Sequence, residues 1–130
     1  MITEDYVSFE VAKLLKEKGF NIPPDSKNWA CCMYDEDGNI HWGIYDKNWY
    51  PRITLQMAMK WLRNTHGIHI QAWCPLVDVD TDILGVKYNV VISNLKDYCL
   101  AFATDIEDNN YDSYEEAVDV GLEYTLEHLI

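Results

Sequence analysis

The sequence predicts a single α+β domain spanning residues 1–130, with elements in the order α-ββ-α-βββ-α. Three observations predict this fold class. Three segments repeat apolar residues at helical spacing behind a capping residue, and five shorter runs are apolar or alternate apolar with polar residues, as strands do. Short polar turns join neighbouring strands, which are therefore expected to pair antiparallel. We predict a mostly antiparallel five-stranded sheet with the three helices packed mainly on one face.

The first helix is predicted over residues 9–18. Ser8 is a favourable N-cap, and Gly19 suits the left-handed position that ends many helices. Pro23 and Pro24 then begin a loop, because proline cannot continue a helix.

A β-hairpin is predicted next. The runs 29–34 and 40–45 are apolar and aromatic, and the polar bridge between them contains Asp37 and Gly38. An Asp-Gly pair between two apolar runs is a strong hairpin signal. An aromatic loop follows over residues 48–52.

The second helix is predicted over residues 55–66, with Thr54 as N-cap and Gly67 as the stop. Met57 and Trp61 widen its apolar face to more than half of the circumference. Either another helix of the same chain or a second subunit must cover them. We favour a homodimer, because symmetric dimers are the commonest oligomers.

Alternation of apolar and polar residues predicts the remaining strands at 68–74, 86–92 and 98–103. The last helix is predicted over residues 114–129. It opens with a capping box, in which Ser113 is followed three residues later by Glu116.

The charge distribution excludes several classes of partner. The formal net charge is −12, from 22 acidic and 10 basic residues, and residues 105–130 carry nine acids without a Lys or Arg. Binding to DNA, RNA or an anionic membrane requires clustered basic residues, so neither is expected to bind directly.

The chain also gives no sign of a membrane or secretory segment. No apolar run approaches the roughly 20 residues that span a bilayer. The first residues, Met-Ile-Thr-Glu-Asp, lack the basic and apolar regions of a signal peptide. We therefore expect a cytoplasmic protein.

No catalytic, cofactor-binding or metal site is predicted. The spacing of Asp78, Asp80 and Asp82 begins like an EF-hand loop, but Ile83 and Asn89 occupy the positions that require Gly and Glu. The four cysteines form no C-x-x-C pair, and a glycine separates His66 from His69. No nucleophile motif or glycine-rich phosphate loop is present.

Several segments resemble a group of small uncharacterised proteins from phages and mobile elements of gut bacteria. They are residues 7–20, residues 54–63 with the following His66 and His69, residues 114–117, and residues 126–130. The resemblance implies a small intracellular protein of mobile-element origin. It assigns no activity and no catalytic residue.

Two surfaces are candidate partner-binding sites. Glu115, Asp119, Glu123 and Glu127 follow one another at i,i+4 steps on the last helix, where like charges repel. We expect this acidic stripe to be solvent-exposed and free of salt bridges within the chain, as either a solvated face or the contact for a basic partner. The second candidate is the aromatic cluster of Trp42, Tyr45, Trp49 and Tyr50, with Trp29 nearby in sequence, which is either core or a contact patch.

These features favour a protein-binding module. An anti-defence or DNA-mimicking role is a special case, in which the acidic protein occupies a nucleic-acid-binding cleft of another protein. The alternative is a small-ligand binder or enzyme with its pocket near Trp42, Trp49 and Tyr50. A concave pocket with convergent polar groups would indicate the alternative, and a flat or convex charged surface would indicate a binding module.

Overall fold

The computed structural model describes residues 5–20, 32–73, 88–96, 99–103 and 111–130. Its helices are α1 (Phe9–Glu17), α2 (Leu55–Trp61) and α3 (Tyr114–His128), and α2 continues into a π-helical turn over Leu62–His66. Its strands are β1 (Cys32–Tyr34), β2 (Ile40–Trp42), β3 (Tyr50–Pro51), β4 (Ile68–Trp73), β5 (Asn89–Asn94) and β6 (Cys99–Ala103). The predicted α+β class and the order of helices and strands are confirmed, with β3 as an additional strand. The Asp78–Asp82 loop and residues 105–110 lie outside the described residues.

The strands form two antiparallel sheets of three strands, with the orders β2-β1-β3 and β4-β5-β6. The prediction of one five-stranded sheet is therefore wrong. The aromatic loop after the hairpin supplies β3, in which Tyr50 pairs with Tyr34 and Pro51 with Met33. Because proline has no N–H, a strand containing Pro51 is suited to the edge of a sheet. The first sheet thus ends at β3 and does not continue into β4.

Helix α3 packs on the second sheet through one closely fitted position. A Cβ atom at Gly121 would lie 2.9 Å from the Cγ2 atoms of both Ile70 and Val90. These two residues, with Ile68 and Ile92, alternate along β4 and β5 and are buried on the face that α3 covers. Helix α1 packs between α3 and β3, and α2 packs on α3. All three helices thus meet in one core.

The predicted helix caps are confirmed. The hydroxyls of Ser8, Thr54 and Ser113 accept hydrogen bonds from the backbone N–H groups three residues later, at 3.2, 3.1 and 3.1 Å. Gly67 ends the π-helical turn with a φ of +66°, in the left-handed region. In the described part of the chain, no helix is long and apolar enough to cross a bilayer.

The wide apolar face of α2 is partly covered from within the chain. The ring of Trp61 packs edge-on against Phe20, with 5.5 Å between the centroids, and against His66 at 5.0 Å. Met57 remains 49% exposed. A second subunit is therefore not needed to cover Trp61, and the homodimer stays a prediction.

Candidate functional site

Exposed apolar side chains follow one another on β2 and in the residues after it. On β2, Ile40 is 48% exposed and Trp42 55%, and beyond its end Ile44 is 50% and Tyr45 43% exposed. We call these four residues the hairpin patch. Exposed apolar residues grouped in one short segment are typical of protein contact surfaces, whereas isolated ones are common on any protein.

Trp42 is exposed but fixed in place. Its ring lies edge-on to Tyr6, with 5.8 Å between the centroids. The guanidinium of Arg52 lies 4.1 Å from the Tyr6 ring centroid and 5.6 Å from that of Trp42. Arg52 is itself held, because its Nη1 donates to the Sγ of buried Cys32 at 3.3 Å. Cation–π and edge-to-face contacts of this kind restrict the tryptophan while leaving half of its surface to solvent.

Two residues of the predicted aromatic cluster lie elsewhere. Trp49 stacks on the ring of His41, at 4.4 Å between centroids and 27° between planes. His41 and Trp42 are successive strand residues, so their side chains point to opposite faces of the sheet. Tyr50 is half-buried, and its ring packs against Phe9 with 5.6 Å between centroids. Of the predicted cluster, Trp42 and Tyr45 belong to the hairpin patch, and Trp29 lies outside the described residues.

The loop that carries Trp49 is tied to α1. The Nζ of Lys16 donates to the carbonyl oxygens of Lys47 at 2.8 Å and Trp49 at 3.0 Å. A depression between Lys16, Phe20 and Trp49 has room of about 20 Å³. That volume accommodates a single water molecule.

The acidic stripe on α3 is less exposed than expected. Glu127 is exposed, but Glu115, Asp119 and Glu123 are each half-buried. The expectation of a solvent-exposed stripe therefore holds for Glu127 alone, and Asp119 is covered where α1 begins. The Oδ1 of Asp119 accepts a hydrogen bond from the backbone N–H of Ser8, at 3.3 Å, at the N-terminus of α1.

The electrostatics of the stripe reflect this packing. Burial raises the pKa of Asp119, and hydrogen bonds from Ser8 partly oppose the rise. Burial also raises the pKa of Glu123, and the negative charges of Glu127, Asp119 and Glu10 raise it further. Glu10 belongs to α1, so repulsion acts between the two helices as well as along one of them.

In the described ranges, no Lys or Arg forms a salt bridge with the stripe. Lys13 pairs instead with Glu10, at 3.1 Å within α1. The only ion pair recorded for the stripe in those ranges joins Glu127 to its neighbour His128 at 3.7 Å, and it requires a protonated imidazole. The negative potential at Glu123 is therefore not neutralised by a nearby Lys or Arg in this part of the chain.

The hairpin patch and the acidic stripe adjoin along the segment that leads into α1. Tyr6 contacts Trp42, and the amide of Ser8, two residues later, binds Asp119. Val7 between them is fully buried, and its N–H donates to the carbonyl of Ile53. Tyr6 and Ser8 are only two residues apart, so one short segment carries a contact to Trp42 and a contact to Asp119.

Among the described residues, no three metal-ligating side chains converge. Neither a protein-family model, nor a curated protein, nor a solved structure matches the chain. The surface around Trp42 is therefore interpreted from its own geometry.

Proposed function

We propose that this protein is a protein-binding module whose contact surface is the hairpin patch with the acidic stripe beside it. The observation that carries the proposal is Trp42, which is 55% exposed and yet fixed by Tyr6 and Arg52. Tryptophan is enriched among the residues that dominate binding energies. Because its position is restricted before binding, little side-chain entropy remains to be lost on association.

The charge beside the patch defines the partner. The chain carries a net charge of −12, and Glu123 lies in a negative potential to which Glu127, Asp119 and Glu10 contribute. A basic partner would relieve this repulsion and would be attracted over a longer range. We infer a cytoplasmic protein partner with a positively charged, partly apolar surface.

The resemblance to proteins of phages and mobile elements supports one special case. A basic surface that binds nucleic acid is complementary to a row of carboxylates, so an anti-defence or DNA-mimicking role is consistent with the stripe. The stripe is more buried than expected, which makes the hairpin patch the stronger part of the surface.

Affinity capture from a bacterial lysate tests the proposal. The bait would be the wild-type chain, Trp42→Ala, and Leu95→Ala as the control, because Leu95 is also an exposed apolar residue, at 46%, but lies outside the patch. We expect the wild type and Leu95→Ala to retain the same basic proteins, and salt to release them. Trp42→Ala should not retain these proteins. Identical capture by all three baits would contradict the assignment of the surface.

A further inference from the structure

Among the described residues, the outer edge of β2 has backbone hydrogen-bonding groups without a partner strand, as the pairing pattern of the first sheet shows. The N–H of Arg52 donates to the carbonyl of Cys32 at 3.0 Å, so the backbone groups of Cys32 point towards β3. Backbone groups alternate along a strand, so those of Met33 point towards β2. His41 is the partner of Met33, and its N–H and C=O therefore face β1.

It follows that the neighbours of His41 face the other way. The N–H and C=O groups of Ile40 and Trp42 point away from β1, to the side of β2 on which no strand lies in the described part of the chain. These are the same two residues whose side chains are exposed on one face of the strand. Ile40 and Trp42 thus offer a partner both their outward backbone groups and their exposed apolar side chains.

The two edges of the first sheet differ. Pro51 of β3 pairs with Met33, and its ring nitrogen lies on the outer side, where it has no hydrogen to donate. Short length, proline, lysine and bulges are the usual features that prevent edge strands from pairing with other chains. The three residues of β2 are Ile, His and Trp, so β2 is short but carries no proline or lysine.

We infer that β2 accepts an extended segment of a basic partner protein as a fourth strand of this sheet. The inference rests on the proposed function and specifies its mode of recognition. Strand addition satisfies the free backbone groups, and alternate apolar side chains of the added strand would pack on Ile40 and Trp42. Glu36 and Asp37 are exposed in the turn at one end of β2, so we expect Lys or Arg in the segment that passes it.

A second copy of this chain is the competing occupant. Pairing of β2 with β2 would bring two chains of net charge −12 together. Like charges at an interface oppose association. Charge complementarity therefore favours the basic partner segment.

The test begins with displayed short peptides of random sequence, selected for binding to the full wild-type chain. We expect enriched peptides to alternate apolar residues and to carry Lys or Arg. Amide hydrogen exchange by NMR then locates the bound peptide. The amides of Ile40 and Trp42 should exchange roughly tenfold or more slowly in the complex, whereas the amide of His41, already bonded to β1, should change little.

A matched pair of variants isolates the backbone contribution. Ile40→Pro removes the outward N–H from an edge position where proline is tolerated, and Ile40→Val keeps the N–H with a side chain of similar size. Circular dichroism would establish that both variants remain folded. We expect Ile40→Pro to bind the selected peptides roughly tenfold more weakly than Ile40→Val.

The outcomes separate this inference from the proposed function. Peptides that lose affinity for Trp42→Ala but bind Ile40→Pro and Ile40→Val equally would overturn strand addition and leave the hairpin patch as a binding surface. Failure to enrich peptides would overturn strand addition alone, whereas peptide binding unaffected by Trp42→Ala would overturn both. Protection of the Ile40 and Trp42 amides that grows with protein concentration, without peptide, would identify a second copy as the occupant and overturn the inference.

Discussion

The carboxylate of Asp119 on α3 accepts the backbone N–H of Ser8, across 3.3 Å, where α1 begins. Ser8 is also the N-cap of α1, through its hydroxyl. A negative charge at this position interacts favourably with the positive end of the helix dipole. Asp119, a member of the acidic stripe, is therefore part of the contact between α1 and α3. A partner could reach its carboxylate only in part.

Two substitutions at Asp119 should distinguish the contribution of its hydrogen bond to stability from the contribution of its charge. We expect Asp119→Ala to lower the free energy of unfolding at pH 7 by about 1 kcal/mol, because the Ser8 amide loses its acceptor. Asp119→Asn retains an acceptor oxygen and removes a half-buried charge, so it should cost less. Urea unfolding of both variants measures the difference, and equal losses would show that the charge and not the hydrogen bond stabilises the contact.

The helix caps illustrate what the sequence predicts well. Ser8, Thr54 and Ser113 act on backbone groups three residues away, so the interaction is contained in a few adjacent residues. The burial of Asp119 depends instead on α1, which is more than a hundred residues distant in sequence. Periodicity shows which side of a helix is polar, but not which other helix lies beside it.

The same distinction applies to the sheets and to the aromatic cluster. The strand at Tyr50–Pro51 consists of only two residues and exists because β1 offers it a partner, which no local pattern reveals. The position of Trp49 away from Trp42 likewise depends on a contact that no local pattern reveals, because the ring of Trp49 stacks on His41. Strict alternation in β2 does place His41 and Trp42 on opposite faces, and that signal was available in the sequence.

The hairpin turn should show a strongly acidic carboxyl group. The hydrogen bond with the ring of His41, at 2.8 Å, and those from the backbone amides of Asn39 and Asp37 lower the pKa of Asp35 to about 2. Because the folded-state pKa lies below the ordinary 3.8, the stability from Asp35 is complete above pH 4 and is lost as pH falls towards 2.

NMR titration of the Asp35 carboxyl carbon measures this pKa directly. In His41→Ala the midpoint should rise towards 3.8, because the largest cause of the shift is removed. An unchanged midpoint in His41→Ala would assign the shift to the backbone amides alone.

Gly121 should not tolerate a side chain. Alanine is favoured over glycine in a helix by about 1 kcal/mol. A Cβ atom added at position 121 would nevertheless lie 2.9 Å from methyl groups of both Ile70 and Val90, in the core. We expect Gly121→Ala to lower the free energy of unfolding by about 1–3 kcal/mol, because α3 must move away from the sheet. Thermal unfolding measures the loss.

A double variant tests whether contact with the Val90 methyl group causes the loss of stability in Gly121→Ala. Val90→Ala removes one of the two crowding methyl groups, so Gly121→Ala should cost less in a Val90→Ala background than in the wild type. Additive losses would mean that the methyl contact does not determine the cost at Gly121.

Removing the charge of Glu123 should stabilise the protein. Glu123 has an acidic residue four positions before it and another four positions after it, and Glu10 of α1 adds to the repulsion. Each i,i+4 pair of like charges costs roughly 0.2–0.5 kcal/mol, so Glu123→Gln should raise the free energy of unfolding by about 0.5 kcal/mol at low salt. Glu116→Gln is the matched control, because Glu116 lies in the first turn of α3, where a negative charge is favourable.

The gain in stability from Glu123→Gln should increase with pH. Burial and neighbouring acids raise the pKa of Glu123 above 4.5, so the native state binds this proton more tightly than the unfolded state. The contribution of Glu123 to stability is therefore highest below pH 4.5 and falls as the pH rises through the folded-state pKa. The advantage of Glu123→Gln should accordingly be absent in acid, appear as the carboxyl ionises, and shrink in high salt. If the substitution changes nothing at neutral pH and low salt, the stripe contains no repulsion for a basic partner to relieve, and the positive charge inferred for that partner loses its main support.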